Sequence, residues 1–282
     1  MNYSDTVTTS AGANMPRLIY GTAWKKERSA GLVEQALAAG FRGVDTACQP
    51  KHYFEPGVGE GIAAAIRQGL VVREGLYLQT KFTPLNGQDP LQIPYDANAP
   101  LAEQVGQSLQ VSLDNLQTDY VDSWVLHSPL ADLEQLMEVW RAMEEGVHSG
   151  AVRQLGISNC YDPKLLAYLN NHADIKPAVV QNRFYKDTGY DKAIRAFCRQ
   201  HDMIYQSFWT LTANPNILAS SSVKQLAAQY QRSPAQVFFR YLTQIGIVPL
   251  TGTTSVTHMR EDLGIFEFEL SQSECGQIEA LL

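Results

Sequence analysis

The sequence predicts a closed (β/α)8 TIM barrel with an N-terminal β-hairpin and a short C-terminal tail. The first observation behind this is an alternation: short apolar strand segments and helix-periodic segments succeed one another along the 282-residue chain. Strands separated by helices pair in parallel, because each helix carries the chain back to the starting edge. The second observation is the number of units. Eight of them fit a barrel, whose typical length is ~250 residues. The third is an absence. An open doubly wound sheet usually carries a Gly-rich dinucleotide fingerprint after its first strand, and this chain reads Gly21-Thr22-Ala23-Trp24 there.

The elements follow in order. Residues 6–20 hold two β-prone pieces around Gly12-Ala13-Asn14, where Gly and Asn favour the turn of a hairpin. Arg17–Tyr20 is the first barrel strand. Leu32, Val33, Ala36 and Leu37 then recur with helical spacing up to Gly40, a helix stop. Strand Gly43–Ala47 precedes helix Gly57–Gly69. Strand Leu76–Phe82 precedes a long loop and helix Leu101–Leu116. Strands Tyr120–His127, Val152–Ser158 and Ala178–Asn182 precede helices Leu130–Val147, Asp162–Asn171 and Tyr190–His201. Strand Met203–Phe208 leads into a long loop, Trp209–Ser222, and helical stretches Asn216–Tyr230 and Ala235–Ile245. Strand Ile247–Leu250 precedes a short helix, Thr257–Leu263, and a last one from Glu274. No linker interrupts the alternation, so one domain over residues 1–282 is expected.

Composition narrows the function classes. The chain is 45% hydrophobic and carries a net charge of −7. That balance argues against a nucleic-acid or anionic-membrane surface, both of which need a basic face. No run approaches the ~20 apolar residues of a membrane span, and the first ten residues lack a signal-peptide pattern. A cytoplasmic protein is expected. Cys48, Cys160, Cys198 and Cys275 are scattered, without metal-ligand or disulfide spacing. They read as reduced thiols, with oxidation of Cys48 the competing reading for that residue. The histidines show no metal-ligand spacing, so no metal is expected.

In such a barrel the strands' C-terminal ends form one face, where sites are built. Asp45 ends the second strand and Tyr53 lies in the loop after it. Lys81 and His127 end the third and fourth strands, Ser158 and Asn159 the fifth, Gln181 the sixth and Phe208 the seventh. A buried lysine stays charged beside a carboxylate. An ammonium near Tyr53 is expected to lower the phenol from its ordinary pKa of ~10. Tyr53 could then give a proton to a carbonyl oxygen, with a neutral His127 orienting that oxygen. The set is an oxyanion-stabilising, proton-delivering corner. It needs a hydride or carbanion from elsewhere.

The chain here closely resembles the aldo-keto reductase family. The first family signature appears as Gly40-Phe41-Arg42-Gly43-Val44-Asp45-Thr46-Ala47, then Tyr53, then Val58-Gly59. The second appears as Leu155-Gly156-Ile157-Ser158-Asn159. Lys81 and His127 match as well, and the resemblance covers nearly the whole chain. It implies a nicotinamide-dependent reductase of aldehydes and ketones that works by direct hydride transfer. Tyr53 is then the general acid, Lys81 and Asp45 its tuning pair, and His127 the carbonyl-orienting group. Gly21, Thr22, Asp45, Ser158, Asn159 and Gln181 match cofactor contacts, and Phe208 falls where an aromatic stacks under the nicotinamide. Trp209 and Leu211 open the segment that folds over the pyrophosphate, which makes Trp209–Ser222 a candidate lid. Trp24, Tyr53 and His127 line the substrate pocket.

The chain departs from the family in three places. The spacing from Asp45 to Tyr53 is longer than usual. Cys160 replaces an aromatic at the end of the second signature. After the eighth strand the family's Pro-Lys-Ser and Arg for a 2′-phosphate give way to Pro249-Leu250-Thr251-Gly252-Thr253 and His258, with Asp262 where Asn is frequent. Thr251, Thr253, His258 and Asp262 are the candidate contacts there. Small hydroxyl residues leading into a helix N-terminus still suit an anion, and NADP(H) is expected over NAD(H). The short tail and Ser128, where some members carry Trp, imply an open pocket. Two other readings compete: a cofactor-binding redox-sensing or regulatory barrel with little turnover, and an aldolase-type barrel with Lys81 as a Schiff-base amine.

Overall fold

The computed structural model describes residues 5–282. Two short strands, β1 (Thr6–Thr8) and β2 (Asn14–Pro16), pair antiparallel. Gly12 turns the chain between them at a φ of 81°, a region that costs glycine little. The barrel strands are β3 (Ile19–Gly21), β4 (Gly43–Asp45), β5 (Tyr77–Phe82), β6 (Ser123–Leu126), β7 (Leu155–Ser158), β8 (Val179–Arg183), β9 (Ile204–Phe208) and β10 (Val248–Thr251). They pair in parallel in chain order, and β10 closes on β3. The predicted (β/α)8 barrel with its N-terminal hairpin is the observed fold.

Helices α1 (Ser29–Ala39), α2 (Glu55–Arg67), α3 (Leu101–Leu116), α4 (Leu133–His148), α5 (Pro163–His172) and α6 (Lys192–Gln200) follow β3 to β8 in turn. After β9 come α7 (Pro215–Leu218), α8 (Ser221–Tyr230) and α9 (Pro234–Gln244). After β10 come α10 (Val256–Leu263) and α11 (Gln272–Glu279). Side-chain caps fix several starts. Ser233 with Gln236 and Ser271 with Glu274 each form a capping box. Gly40, at a φ of 122°, ends α1. No helix among the described residues is long and apolar enough to cross a membrane.

The chain packs as two concentric layers. Between strands and helices lies the larger apolar core, with Trp124 and Trp140 fully buried. Inside the barrel a smaller cluster of Met15, Ile19, Tyr77, Val179, Val248 and Leu250 fills the N-terminal end. Tyr77, Val179 and Val248 are the first residues of their strands, so the hairpin's Met15 plugs that mouth. Gly59 is needed for the outer layer. A Cβ there would lie 2.1 Å from the Asn115 carbonyl oxygen, so α2 approaches the end of α3 only because this residue has no side chain.

Candidate active site

The polar residues gather at the opposite mouth, where the strands end. Strand alternation sets which side chains face inward. Along β5 these are Tyr77, Gln79 and Lys81; along β8, Val179, Gln181 and Arg183; along β9, Ile204, Gln206 and Phe208.

Lys81 has no exposed surface and Asp45 only 2%. The lysine Nζ donates to both Asp45 oxygens and to the Thr46 carbonyl, each at 2.7 Å. Burial pulls the Lys81 ammonium down from its ordinary value, and the Asp45 carboxylate opposes that pull. Tyr53 completes the corner from the loop after β4. Lys81 Nζ lies 5.2 Å from its ring centre, and the His127 ring stands edge-on at 5.9 Å. The long spacing from Asp45 is absorbed locally: Tyr53 N and His52 N both donate to the Gln49 carbonyl, and Gln49 Nε2 donates to the Gly87 carbonyl. His127 Nδ1 is 2.6 Å from the Thr83 hydroxyl. Burial, then the Lys81 charge, then His52, hold His127 well below its ordinary value of 6.5, so the ring is neutral at pH 7.

One expectation is reversed. The Tyr53 phenol is raised from its ordinary value, first by burial and then by the Asp45 carboxylate. The ammonium that was to lower it is already hydrogen-bonded to Asp45 and Thr46. Cys48 is a packed thiol, 2% exposed and pushed up by burial, which removes the case for an oxidation-sensitive residue.

The remaining candidates lie around the same mouth. Gly21 ends β3, and Thr22 Oγ1 donates to the Asp45 carbonyl at 2.9 Å. Trp24 is 60% exposed and packs on His52, 4.0 Å between ring centres. Ser158 is buried, and Asn159 Nδ2 donates to the His127 carbonyl at 2.8 Å. Phe208 is half-buried at the end of β9, followed by exposed Trp209 and half-buried Leu211. Thr251 Oγ1 donates to Asp262 at 2.7 Å, and Asp262 is buried behind it. Thr253 accepts from Ser255 N, and His258 is exposed in the first turn of α10. The candidate lid is a pinned segment with its own helix, α7. Asn214 Nδ2 donates to the Phe184 and Thr210 carbonyls at 2.7 and 2.9 Å, which ties the loop to the barrel rim.

Sequence reasoning missed Gln79, Gln206, Glu55 and Lys25, the first two of which join the expected Gln181 inside the barrel. Gln79 Nε2 and Gln181 Nε2 both donate to Asp45 Oδ1, at 2.7 and 3.0 Å, and both donate to Gln206 Oε1. Gln206 Nε2 donates back to Gln79 Oε1 at 3.1 Å. The signal was a polar residue two positions before Lys81 and another two before Phe208, hence on the same inward face. Glu55, the first residue of α2, is buried and hydrogen-bonded by Thr80, Ser112 and Asn115. Lys25 is buried at the rim and donates to the Gly252 carbonyl at 2.6 Å; burial and then Arg28 bring it to about 8.

The fold and this corner define a class, the (β/α)8-barrel oxidoreductases. Comparison with known proteins narrows it. A model of the Aldo/keto reductase family matches residues 12–282. Glyoxal reductase of Bacillus subtilis (strain 168) is 31% identical over 280 residues, covering 98% of this chain and 92% of its own. Prostaglandin F synthase 1 of Bos taurus is 27% identical over 313 residues, covering 99% and 91%. The crystal structure of an aldo/keto reductase from Brucella melitensis superposes with a TM-score of 0.83 at 26% identity, covering 98% of this chain and 99% of its own. The chain belongs to the aldo/keto reductase family, whose members use nicotinamide cofactors and act on small carbonyl compounds.

Proposed function

We propose that the protein is an NADPH-dependent carbonyl reductase, with the described residues 5–282 as one barrel domain and Tyr53 as general acid. The observation that carries this is the corner itself: Tyr53 packs against both Lys81 and the neutral His127, with Asp45 holding the lysine. The residues present fit a nicotinamide. Gln181 uses its amide nitrogen inside the barrel, on Asp45 and Gln206, which leaves its carbonyl oxygen for a carboxamide donor. Ser158 pairs with Gln181 from the strand on one side, and Phe208 ends the strand on the other side, where it offers a ring face. The reduced cofactor supplies the hydride.

The chain's own residues handle the oxygen and its proton. With the Thr83 hydroxyl donating to His127 Nδ1, the ring proton sits on Nε2, where it hydrogen-bonds the carbonyl oxygen and orients it. The Tyr53 hydroxyl gives its proton to that oxygen as the carbon accepts hydride, and water restores the phenol afterwards. The raised phenol stays protonated at neutral pH, which suits reduction. Lys81 and Asp45 keep a fixed charge pair beneath the ring, so the charged surroundings of the phenol need no reorganisation during the transfer. At the far end, Thr253, Ser255, His258 and Arg260 lead into α10 and supply hydroxyl, backbone and cationic groups for a phosphate. They support NADPH over NADH.

Tyr53→Phe tests the assignment. It is expected to lower aldehyde reduction at least a hundredfold while leaving the binding of NADPH within a factor of two. Near-normal turnover would reject Tyr53 as the acid. Equal or tighter binding of NADH by the unaltered protein would reject the cofactor preference.

A further inference from the structure

One cation at the barrel mouth has no role in the chemistry above. Arg183 ends β8 on the inward face, two residues beyond Gln181, and its Cα pairs with that of Phe208 across the strands. Its guanidinium lies 4.1 Å from the Trp209 ring centre and 5.2 Å from that of Tyr185. The backbone holds it in register, with Arg183 N donating to the Tyr161 hydroxyl at 3.1 Å. Among the described residues no carboxylate pairs with it, and no side-chain N–H of Arg183 donates to the protein. Its Nε is nevertheless buried.

This is an unusual arrangement for a chain with a net charge of −7. No acceptor of the chain satisfies this N–H, which leaves it to a partner from outside. An arginine stacked on aromatic rings keeps its planar edge free, and that edge matches the paired oxygens of a phosphate or carboxylate. Stacking also removes rotamer freedom in advance, so little is lost when an anion arrives. The position decides what such an anion belongs to. It lies above Gln181 and beside Phe208, within the mouth that the proposed cofactor and carbonyl compound share.

We propose that Arg183 is a specificity-determining residue that binds a phosphate or carboxylate oxygen of a ligand in the barrel mouth, with Trp209 and Tyr185 holding its guanidinium. The inference rests on the proposed reductase function. The anion has two sources, the diphosphate of the nicotinamide cofactor or a carboxylate on the carbonyl substrate.

The experiment compares the full-length protein with Arg183→Met, which keeps an unbranched side chain over Trp209 and removes the charge. Calorimetric titration gives Kd for NADPH and NADH. Steady-state kinetics give kcat/KM for phenylglyoxylate and for its neutral methyl ester. A tenfold or greater rise in Kd for both cofactors, with the acid-to-ester ratio unchanged, supports the cofactor diphosphate. A tenfold or greater fall in that ratio, with Kd unchanged, supports a substrate carboxylate. Values within twofold in both arms overturn the proposal. Should Arg183→Met fail to fold, Arg183→Gln goes through the same two arms, and competition by inorganic diphosphate and by phenylacetate is measured on the unaltered protein. Inhibition by neither anion also overturns it. An unaltered protein that binds no nicotinamide would instead refute the reductase reading, so the two failures are distinguishable.

Discussion

Removing Lys81 tests the corner most directly, because the structure predicts both its cost and its cure. Lys81→Met leaves the Asp45 carboxylate buried, with only the Gln79 and Gln181 amides donating to it. Breaking a buried pair from one side costs about 3–5 kcal/mol. A domain of this size loses roughly 2 °C of Tm per kcal/mol, so the variant is expected to melt about 6–10 °C below the parent. Asp45→Asn in the Lys81→Met background removes the stranded charge, and the new amide oxygen accepts from the same two glutamines. The double variant should therefore recover most of the lost stability, giving a coupling of about 2 kcal/mol or more in a double-mutant cycle. Differential scanning calorimetry on all four proteins reads this, while carbonyl reduction stays crippled in every variant. Additive losses would show that the two residues do not act as a pair, and the argument for the corner would fail with them.

The raised Tyr53 phenol predicts opposite pH profiles for the two directions of reaction. Reduction should hold level from neutral into mildly alkaline solution, and alcohol oxidation, which needs the phenolate, should climb with pH; a reduction rate that falls near neutrality would contradict the direction of the shift. Asp262 is raised by burial from its ordinary 3.8 to about 6, with the Thr251 hydrogen bond opposing. The folded state therefore holds this proton more tightly than the unfolded chain, and stability is lost as pH rises from about 4 to 6. At 1.36 kcal/mol per unit the ionised group costs up to about 3 kcal/mol at pH 7, so Asp262→Asn should raise Tm there by a few degrees and change little near pH 4. Gly59→Ala drives a Cβ into the Asn115 carbonyl and should lose about 2 kcal/mol or more despite the better helix propensity, whereas Gly106→Ala, with open space around it, should gain about 0.5–1 kcal/mol in urea unfolding.

The barrel was legible because its signal is local and repeated. Apolar strand segments and helical periodicity need no knowledge of the third dimension, and the strand ends came within a few residues. First-turn chemistry moved one helix start: α2 begins at Glu55, ahead of the expected Gly57, because Pro56 is tolerated in a first turn and Glu55 is satisfied by groups on β5 and α3. The corner was legible because strand ends converge in this fold, so Asp45, Lys81 and His127 could be placed together from their strand positions. The direction of the Tyr53 shift was not. It depends first on how deeply the ring is buried and then on the nearness of the Asp45 carboxylate, neither of which a strand position reveals. Arg183 was overlooked for a related reason. A lone arginine at a strand end reads as a solvated charge until the rings of Trp209 and Tyr185 are seen around it.

The polar contents of the barrel carry one more implication. Thr9, in the hairpin turn, donates to Gln154; Gln154 donates to Tyr77; Tyr77 donates to Gln79; and Gln79 donates to Asp45. Every link points the same way, from the plugged end of the barrel to the acid at its open mouth. Each member can keep its partner only if the next keeps its polarity. A change at position 154, 77 or 79 therefore orphans the donor before it, whereas Gln79 keeps Gln206 Oε1 as a second acceptor if position 45 changes. Divergence among descendants of this chain should replace residues 9, 154, 77 and 79 as a set, although none of them touches the proposed chemistry.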